Sequence, residues 1–151
     1  MYMMSTNSYK RTNNPNVKSQ TGELKALLKA KTLAQYVLQV TDRSPKRFRF
    51  TFTTRMQNIA LDIIENLFLA NDVFVEGPNA VSLLRERAAY QRKALTLVKT
   101  LAYIAEIART SGALLPKHYE QISMHANEVA LIVKAWMKSD AKRFEKNGSL
   151  V

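Results

Sequence analysis

The sequence contains no cysteine, which excludes a disulfide framework and any metal site built on thiolates. Glycine and proline are scarce, at four residues each in 151, so few positions interrupt regular secondary structure. No run of about 18 apolar residues occurs. Residues 1–20 are rich in Asn, Ser and Thr and lack the apolar stretch of a secretory signal. We therefore expect a cytoplasmic protein with no membrane partner.

Acidic residues are also few. Twelve Asp and Glu accompany 23 Lys and Arg, which gives a net charge of +11 and a pI near 10.0. Residues 1–50 hold ten of the cations and only two acids, so most of the excess charge lies in the first third of the chain. A field of this sign favours polyanions such as RNA, DNA or anionic lipid.

Apolar residues recur at spacings of three and four in four segments, which predicts four amphipathic helices. The segments are residues 21–41, 53–73, 79–110 and 116–140. Short connections between such helices favour an all-α, antiparallel up-and-down four-helix bundle over residues 21–140. We expect residues 1–20 to form a disordered basic tail and residues 141–151 a flexible tail.

The spacing also predicts which faces point inward. The first helix is expected to bury Leu24, Leu27, Leu28, Ala34, Val37 and Leu38. The second has a wide apolar face formed by Met56, Ile59, Ala60, Ile63, Ile64, Leu67 and Phe68. The fourth turns Tyr119, Ile122, Ala126, Val129, Val133 and Trp136 inward. A second helix that is apolar over so much of its circumference needs neighbours on more than one side.

The strongest local signal is the corner between the first two helices, residues 44–55. Pro45 lacks an amide donor and disfavours helix at Ser44, so the first helix should end there. Thr51, Thr53 and Thr54 are candidate caps for the next helix. Four cations of the corner could bind phosphates, and Phe48 or Phe50 could stack on unpaired bases. These cations are Lys46, Arg47, Arg49 and Arg55.

The alternative is a solvated turn whose phenylalanines enter the core or a subunit interface. The alternation of cations and rings through residues 46–52 would place them on opposite sides of the chain.

A second set of cations lies on the third helix. Arg85, Arg92 and Lys99 are seven residues apart, and heptad steps drift only about 20° around a helix. They therefore form a line along which phosphates could bind, flanked by Arg87 and Lys93. The alternative is an ordinary solvated helix face.

Other polar residues give weaker signals. His118 and His125 are seven apart, whereas helical metal pairs are normally four apart, so we expect a structural or surface role. Asp62 and Glu65 could act as an acid–base pair. No nucleophile or glycine-rich phosphate loop accompanies them, and a salt bridge to Arg55 or to another helix is the favoured interpretation. The sequence thus predicts no enzyme, no metal and no cofactor.

With these residues in view, the chain resembles small four-helix-bundle proteins typified by the accessory variability determinant (Avd) of diversity-generating retroelements. Relatives of that family include the intervening-sequence proteins encoded within bacterial large-subunit rRNA genes. The resemblance rests on PKRFRFTF at positions 45–52, on Arg55, on the pattern of residues 59–71 and on a fourth helix that opens with Tyr119-Glu120. It covers about residues 24–138. Phe48 stands where the family often has an acid, which makes this corner more positive.

The resemblance implies a non-enzymatic accessory protein. Such proteins form a homopentameric barrel, bind nucleic acid through a basic surface and associate with the retroelement's reverse transcriptase to support cDNA synthesis and mutagenic homing. Two other hypotheses stay open from the residues alone. One is a helical protein–protein interaction module, or an intervening-sequence-type protein without a polymerase partner. The other is an enzyme that uses Asp62 and Glu65.

Overall fold

A computed structural model describes the backbone of residues 17–146 and the side chains of residues 22–144. It contains four α-helices: α1 (Val17–Thr41), α2 (Thr54–Asp72), α3 (Ala80–Thr110) and α4 (Pro116–Lys146). A 3-10 turn (Lys46–Phe48) and a π-helical turn (Arg49–Thr53) lead into α2. The described residues include no β-strand, so the predicted all-α class is confirmed.

Each helix packs mainly against two others. The extensive contacts join α1 to α2, α2 to α3, α3 to α4, and α4 back to α1. The connections at residues 42–45, 73–79 and 111–115 are too short to run the length of a helix, so successive helices are antiparallel. The arrangement is that of an up-and-down four-helix bundle, as predicted.

The core is aliphatic and receives side chains from every helix. Large residues with at most 1% exposure fill it: Leu33, Val37, Met56, Ile59, Ile63, Leu67, Leu101, Ile122, Val129 and Val133. Fully burying one such side chain stabilises the fold by about 1.5–3 kcal/mol. Alanines at the helix contacts, such as Ala30, Ala94 and Ala105, allow close approach of the backbones.

The predicted inner face of α1 is wrong for three of its leucines, whereas Leu27 packs against the core. Leu24, Leu28 and Leu38 are 58%, 54% and 41% exposed. Ala34 and Val37 are buried as predicted, and the other buried apolar residues of α1 are Ala26, Ala30, Leu33 and Val40. Apolar residues occur on both sides of α1, and the side rich in alanine and β-branched residues is the one that packs against α2 and α4. Phe68, assigned to the inner face of α2, is also half exposed.

The corner ends α1 where Pro45 predicts, but the expected threonine caps are wrong. Helical structure resumes at Lys46, and Thr53 makes no side-chain capping hydrogen bond at the start of α2. The amides are satisfied by the preceding turns: Phe48 N–H donates to the Pro45 carbonyl at 3.0 Å, and Thr54 N–H donates to that of Arg49. A side-chain cap is therefore not needed.

Other boundaries follow from local rules. Gly112 has φ 86°, a left-handed conformation that favours glycine at the end of a helix, and Pro116 is the first residue of α4. α1 begins at Val17 rather than near residue 21, and α4 continues past residue 140 to Lys146 with Phe144 buried. The remaining residues of the two predicted tails, 1–16 and 147–151, lie outside the described part of the chain.

None of the described helices is both long and apolar enough to cross a lipid bilayer.

Candidate nucleic-acid interface

The α1–α2 corner is fixed on two sides by hydrogen bonds. Ser44 Oγ donates to the Ala113 carbonyl at 2.8 Å, which ties the corner to the α3–α4 connection. Gln57 Nε2 donates to Thr41 Oγ1 at 2.9 Å, which joins the beginning of α2 to the end of α1. Hydrogen bonds therefore hold the cationic segment on both sides.

The four corner cations Lys46, Arg47, Arg49 and Arg55 are all exposed. None of these four cations lies within 4.0 Å of a carboxylate among the described side chains, residues 22–144. The guanidinium of exposed Arg47 lies 4.6 Å from the centroid of the Phe48 ring, a cation–π contact. Arg43, in the connection that follows α1, is a further exposed cation, and Asp42 is the single acid within residues 42–55. The corner thus presents charge that is free to meet an anion.

The three phenylalanines of the corner have different environments. Phe48 and Phe52 are half-buried against the core, with ring centroids 5.6 Å apart. Phe50 is 86% exposed and lies on the surface with the cations. The expectation that rings and cations separate holds for Phe48 and Phe52 but is wrong for Phe50, because the segment is helical and does not alternate as a strand would.

The α3 cations are placed as predicted along one helix. Arg85, Arg92 and Lys99 are exposed and, within the described side chains, have no carboxylate within 4.0 Å. At 1.5 Å per residue they span about 21 Å. We call this row the α3 line.

A groove of about 460 Å³ runs between α3 and α4 beside the α3 line. Arg92 and Lys99 line one side, and Lys134 of α4 lines it as well. The apolar lining comes from Leu95, Val98, Ala102, Ala126 and Ala130. The contribution of Lys134 is not visible in the sequence, because it depends on how the two helices pair.

The structure does not bring the corner and the α3 line together. The corner meets the end of α3, whereas Arg85 lies near its beginning at the opposite end of the bundle. Even Lys99 precedes Thr110, the last residue of α3, by about 17 Å of helix. The predicted site residues therefore form two separate surfaces.

Arg87, expected to flank the α3 line, is instead buried at 6% exposure. Its Nη1 contacts Asp140 Oδ1 at 3.1 Å and approaches Glu23 Oε1 at 4.0 Å, and its Nη2 donates to the Val73 carbonyl at 2.7 Å. One guanidinium thus connects α1, the end of α2, α3 and α4. We call these residues the Arg87 cluster.

Two further side chains complete the Arg87 cluster. Gln91 Nε2 lies 3.5 Å from Asp140 Oδ2, and Arg143 Nη2 lies 3.2 Å from Asp140 Oδ1. Burial raises the pKa of Glu23 above its usual value, and the charge of Arg87 opposes part of that rise. Arg87 and Asp140 at the centre of the cluster are buried, whereas Arg143 at its edge is 35% exposed, so the central ion pair joins the helices inside the bundle.

The histidines have structural surroundings. The His125 ring packs against Tyr36 with centroids 5.3 Å apart. Burial, together with the charges of Lys117 and Arg43, lowers the pKa of His118. Among the side chains described, no group of three His, Cys, Asp or Glu side chains could hold a metal ion.

The salt bridge expected for Asp62 or Glu65 is wrong. Both carboxylates are exposed, and neither lies within 4.0 Å of a cation in the described part of the chain. Neither residue lines the groove between α3 and α4.

No protein-family model, curated protein or solved structure matches this chain.

Proposed function

We propose that this protein is a non-enzymatic, cytoplasmic accessory that binds nucleic acid through the α1–α2 corner and assists a retroelement reverse transcriptase. The polymerase partner, and with it a role in cDNA synthesis and mutagenic homing, rests on the resemblance of residues 24–138 to Avd-type proteins. Nucleic-acid binding rests on the corner itself.

One observation carries the binding proposal: a group of exposed cations within one short segment, with no carboxylate within 4.0 Å among the described side chains. Surface lysines and arginines are usually offset by nearby acids, yet residues 43–61 contain five cations and no acid. Contacts of this kind position the phosphate backbone and do not distinguish base sequence. We therefore expect binding that depends steeply on salt and little on sequence.

A salt titration tests this proposal. With four phosphate contacts, log K should fall against log [salt] with a slope of about −2.8 for single strands or −3.6 for duplex DNA. Affinity for a labelled 20-nucleotide oligomer, followed by fluorescence anisotropy, should then drop about 50- to 150-fold between 50 and 200 mM salt. Affinity that stays constant over this range, or no measurable binding at 50 mM, would contradict the proposal.

Self-assembly is supported by an apolar surface shared by α1 and α2. Gln57 and Thr41 set the antiparallel register, so Leu38 and Leu61 lie at about the same height along the bundle. Leu61 is 48% and Phe68 50% exposed, and Leu24, Leu28 and Leu38 line the outer side of α1. We call these five residues the α1–α2 face.

A row of large apolar side chains open to water marks an interaction surface. We propose that the α1–α2 face joins copies of this chain, and the resemblance implies a pentamer. A ring repeats the cationic corner five times, and linked weak contacts gain through effective concentration.

Phe68→Lys tests the assembly. An ammonium placed in an apolar interface loses hydration without a counter-charge, so the variant should dissociate toward the 17.2 kDa chain. Light scattering on a size-exclusion column should give about 86 kDa for five wild-type chains and a smaller mass for the variant. Leu131→Lys, at a similarly exposed leucine of α4, is the control and should keep the wild-type mass. A wild type that elutes as a monomer, or an unchanged mass for Phe68→Lys, would count against the interface.

The α1–α2 face also favours a second candidate function, a helical module that binds another protein. In that case the cations would serve solubility, and neutralising the corner would leave partner binding intact. Co-purification of nucleic acid that high salt removes would separate the two, since only the first function requires it.

A further inference from the structure

Phe50 is the most exposed of the large apolar side chains on the described surface, at 86%. Its neighbours Phe48 and Phe52 pack on each other and against the core, and the Arg47 guanidinium covers one side of Phe48. The Phe48 and Phe52 rings therefore already make contacts within the protein. Phe50 alone offers a free aromatic face at the corner.

The backbone around Phe50 is also unusual. Residues 49–53 form a π-helical turn, in which Thr54 N–H donates to the Arg49 carbonyl. Such turns are rare and occur frequently at functional sites. Here the π-helical turn contains the exposed Phe50 ring, and the hydrogen bonds of Ser44 and Gln57 anchor the segment on either side of it.

The ring lies among cations. Arg49 is its chain neighbour, and Lys46 lies about one helical turn before it; both are exposed. A base stacked on Phe50 would bring its flanking phosphates within reach of these side chains. In a duplex the bases are already stacked on each other, so only an unpaired base can use the ring.

From this geometry we infer that Phe50 is a stacking platform for an unpaired base and that single-stranded nucleic acid is the preferred ligand of the corner. The inference rests on the proposed nucleic-acid function and gives it a substrate class. The cations contribute affinity for any polyanion, and Phe50 contributes the preference for single strands.

The test compares Phe50→Ala with Phe74→Ala. Phe74 is 75% exposed but lies in the α2–α3 connection, at the other end of the bundle and beside the acids Asp72 and Glu76. Each variant is titrated by anisotropy with a labelled 20-nucleotide single strand and with its blunt duplex at the same salt. Loss of one base–aromatic stack should weaken single-strand binding about 5- to 150-fold for Phe50→Ala. Duplex binding by Phe50→Ala, and both affinities of Phe74→Ala, should stay within about two-fold of wild type.

Two further measurements separate stacking from other roles of Phe50. Phe50→Tyr keeps an aromatic face and should keep the single-strand affinity. Because the ring carries no charge, Phe50→Ala should leave the salt slope unchanged, whereas loss of one cation lowers it by about 0.7 for single strands.

Three results would overturn the inference while leaving nucleic-acid binding in place. The first is equal single-strand affinity of Phe50→Ala and Phe74→Ala. The second is an equal loss on single strand and duplex. The third is a smaller assembly mass for Phe50→Ala alone, which would place the ring in a subunit interface. A wild type that binds neither oligomer would remove the proposed function and the inference together.

Discussion

Replacing Arg87 by methionine is expected to lower the free energy of unfolding by about 3–5 kcal/mol. The side chain is 6% exposed and connects parts of all four helices through Glu23, Asp140 and the Val73 carbonyl. Methionine replaces much of the buried volume but supplies neither charge nor hydrogen bonds. The variant leaves a carboxylate buried with fewer partners and a carbonyl without its donor.

The size of the effect depends on which partners Asp140 and the Val73 carbonyl keep in the variant. Asp140 is 3% exposed and keeps Arg143, which is itself only partly buried, together with a long contact to Gln91. Loss of one partner of a buried ion pair costs about 3–5 kcal/mol, and the unpaired Val73 carbonyl is part of that cost. For a chain of this length we expect the melting temperature to fall by about 6–20 °C.

Urea unfolding followed by circular dichroism measures this prediction. Arg85→Met is the matched control, since Arg85 lies two residues earlier on the same helix and is exposed; it should change stability by less than about 0.5 kcal/mol. The double variant Arg87→Met/Asp140→Leu should recover much of the loss, because it removes both members of the buried pair. Equal stabilities for Arg87→Met and Arg85→Met would show that the cluster does not hold the bundle together.

The fold follows from rules that act over a few residues. Pro45 ends α1, Gly112 takes the left-handed conformation that closes α3, and Pro116 begins α4. Apolar spacing then predicts four helices, and short connections make them antiparallel. Each step needs only local steric and hydrogen-bonding arguments, so the sequence suffices for it.

The choice between two apolar faces of one helix is a different problem. In α1 the leucines at 24, 28 and 38 and the alanines at 26, 30 and 34 both recur at helical spacing, yet only the second set packs in the core. The outcome depends on how closely α2 and α4 approach, which spacing within α1 does not contain. Burial of Arg87 is not predictable from local spacing either, because its partner Asp140 lies 53 residues away.

Some features of the candidate site are predictable from the sequence and others are not. Exposure of the corner cations is predictable, because charged side chains without partners stay in water. Which phenylalanine stays free is not, since it depends on the contacts of Phe48 and Phe52 with the core. Lys134 likewise joins the groove beside Arg92 and Lys99 only through the pairing of α3 with α4.

Neutralising the corner is expected to have the largest effect on binding. A variant with glutamine at the four corner positions, Lys46, Arg47, Arg49 and Arg55, removes four phosphate contacts from a single anchored segment. Each contact contributes about 0.7–0.9 to the salt slope, so affinity at 0.1 M salt, one decade below 1 M, should fall roughly 600- to 4,000-fold and the slope should approach zero. The substituted side chains are exposed, so the melting temperature should stay within a few degrees of wild type.

The matched comparison is glutamine at Arg85, Arg92 and Lys99. This variant removes nearly as much charge, but from the α3 line, which extends over about 21 Å at a distance from the corner. If phosphates bind at the corner, it loses only the long-range attraction, about two- to three-fold, and keeps the wild-type slope, because screening limits the field to about 10 Å at 0.1 M salt. The reverse pattern is a large loss of affinity for the α3 variant and a small one for the corner variant. It would indicate that the interface is the groove beside Lys134. Equal losses would mean that one nucleic acid contacts both surfaces. Because the two groups of cations lie far apart on a single bundle, such a strand would have to pass around the end of the bundle.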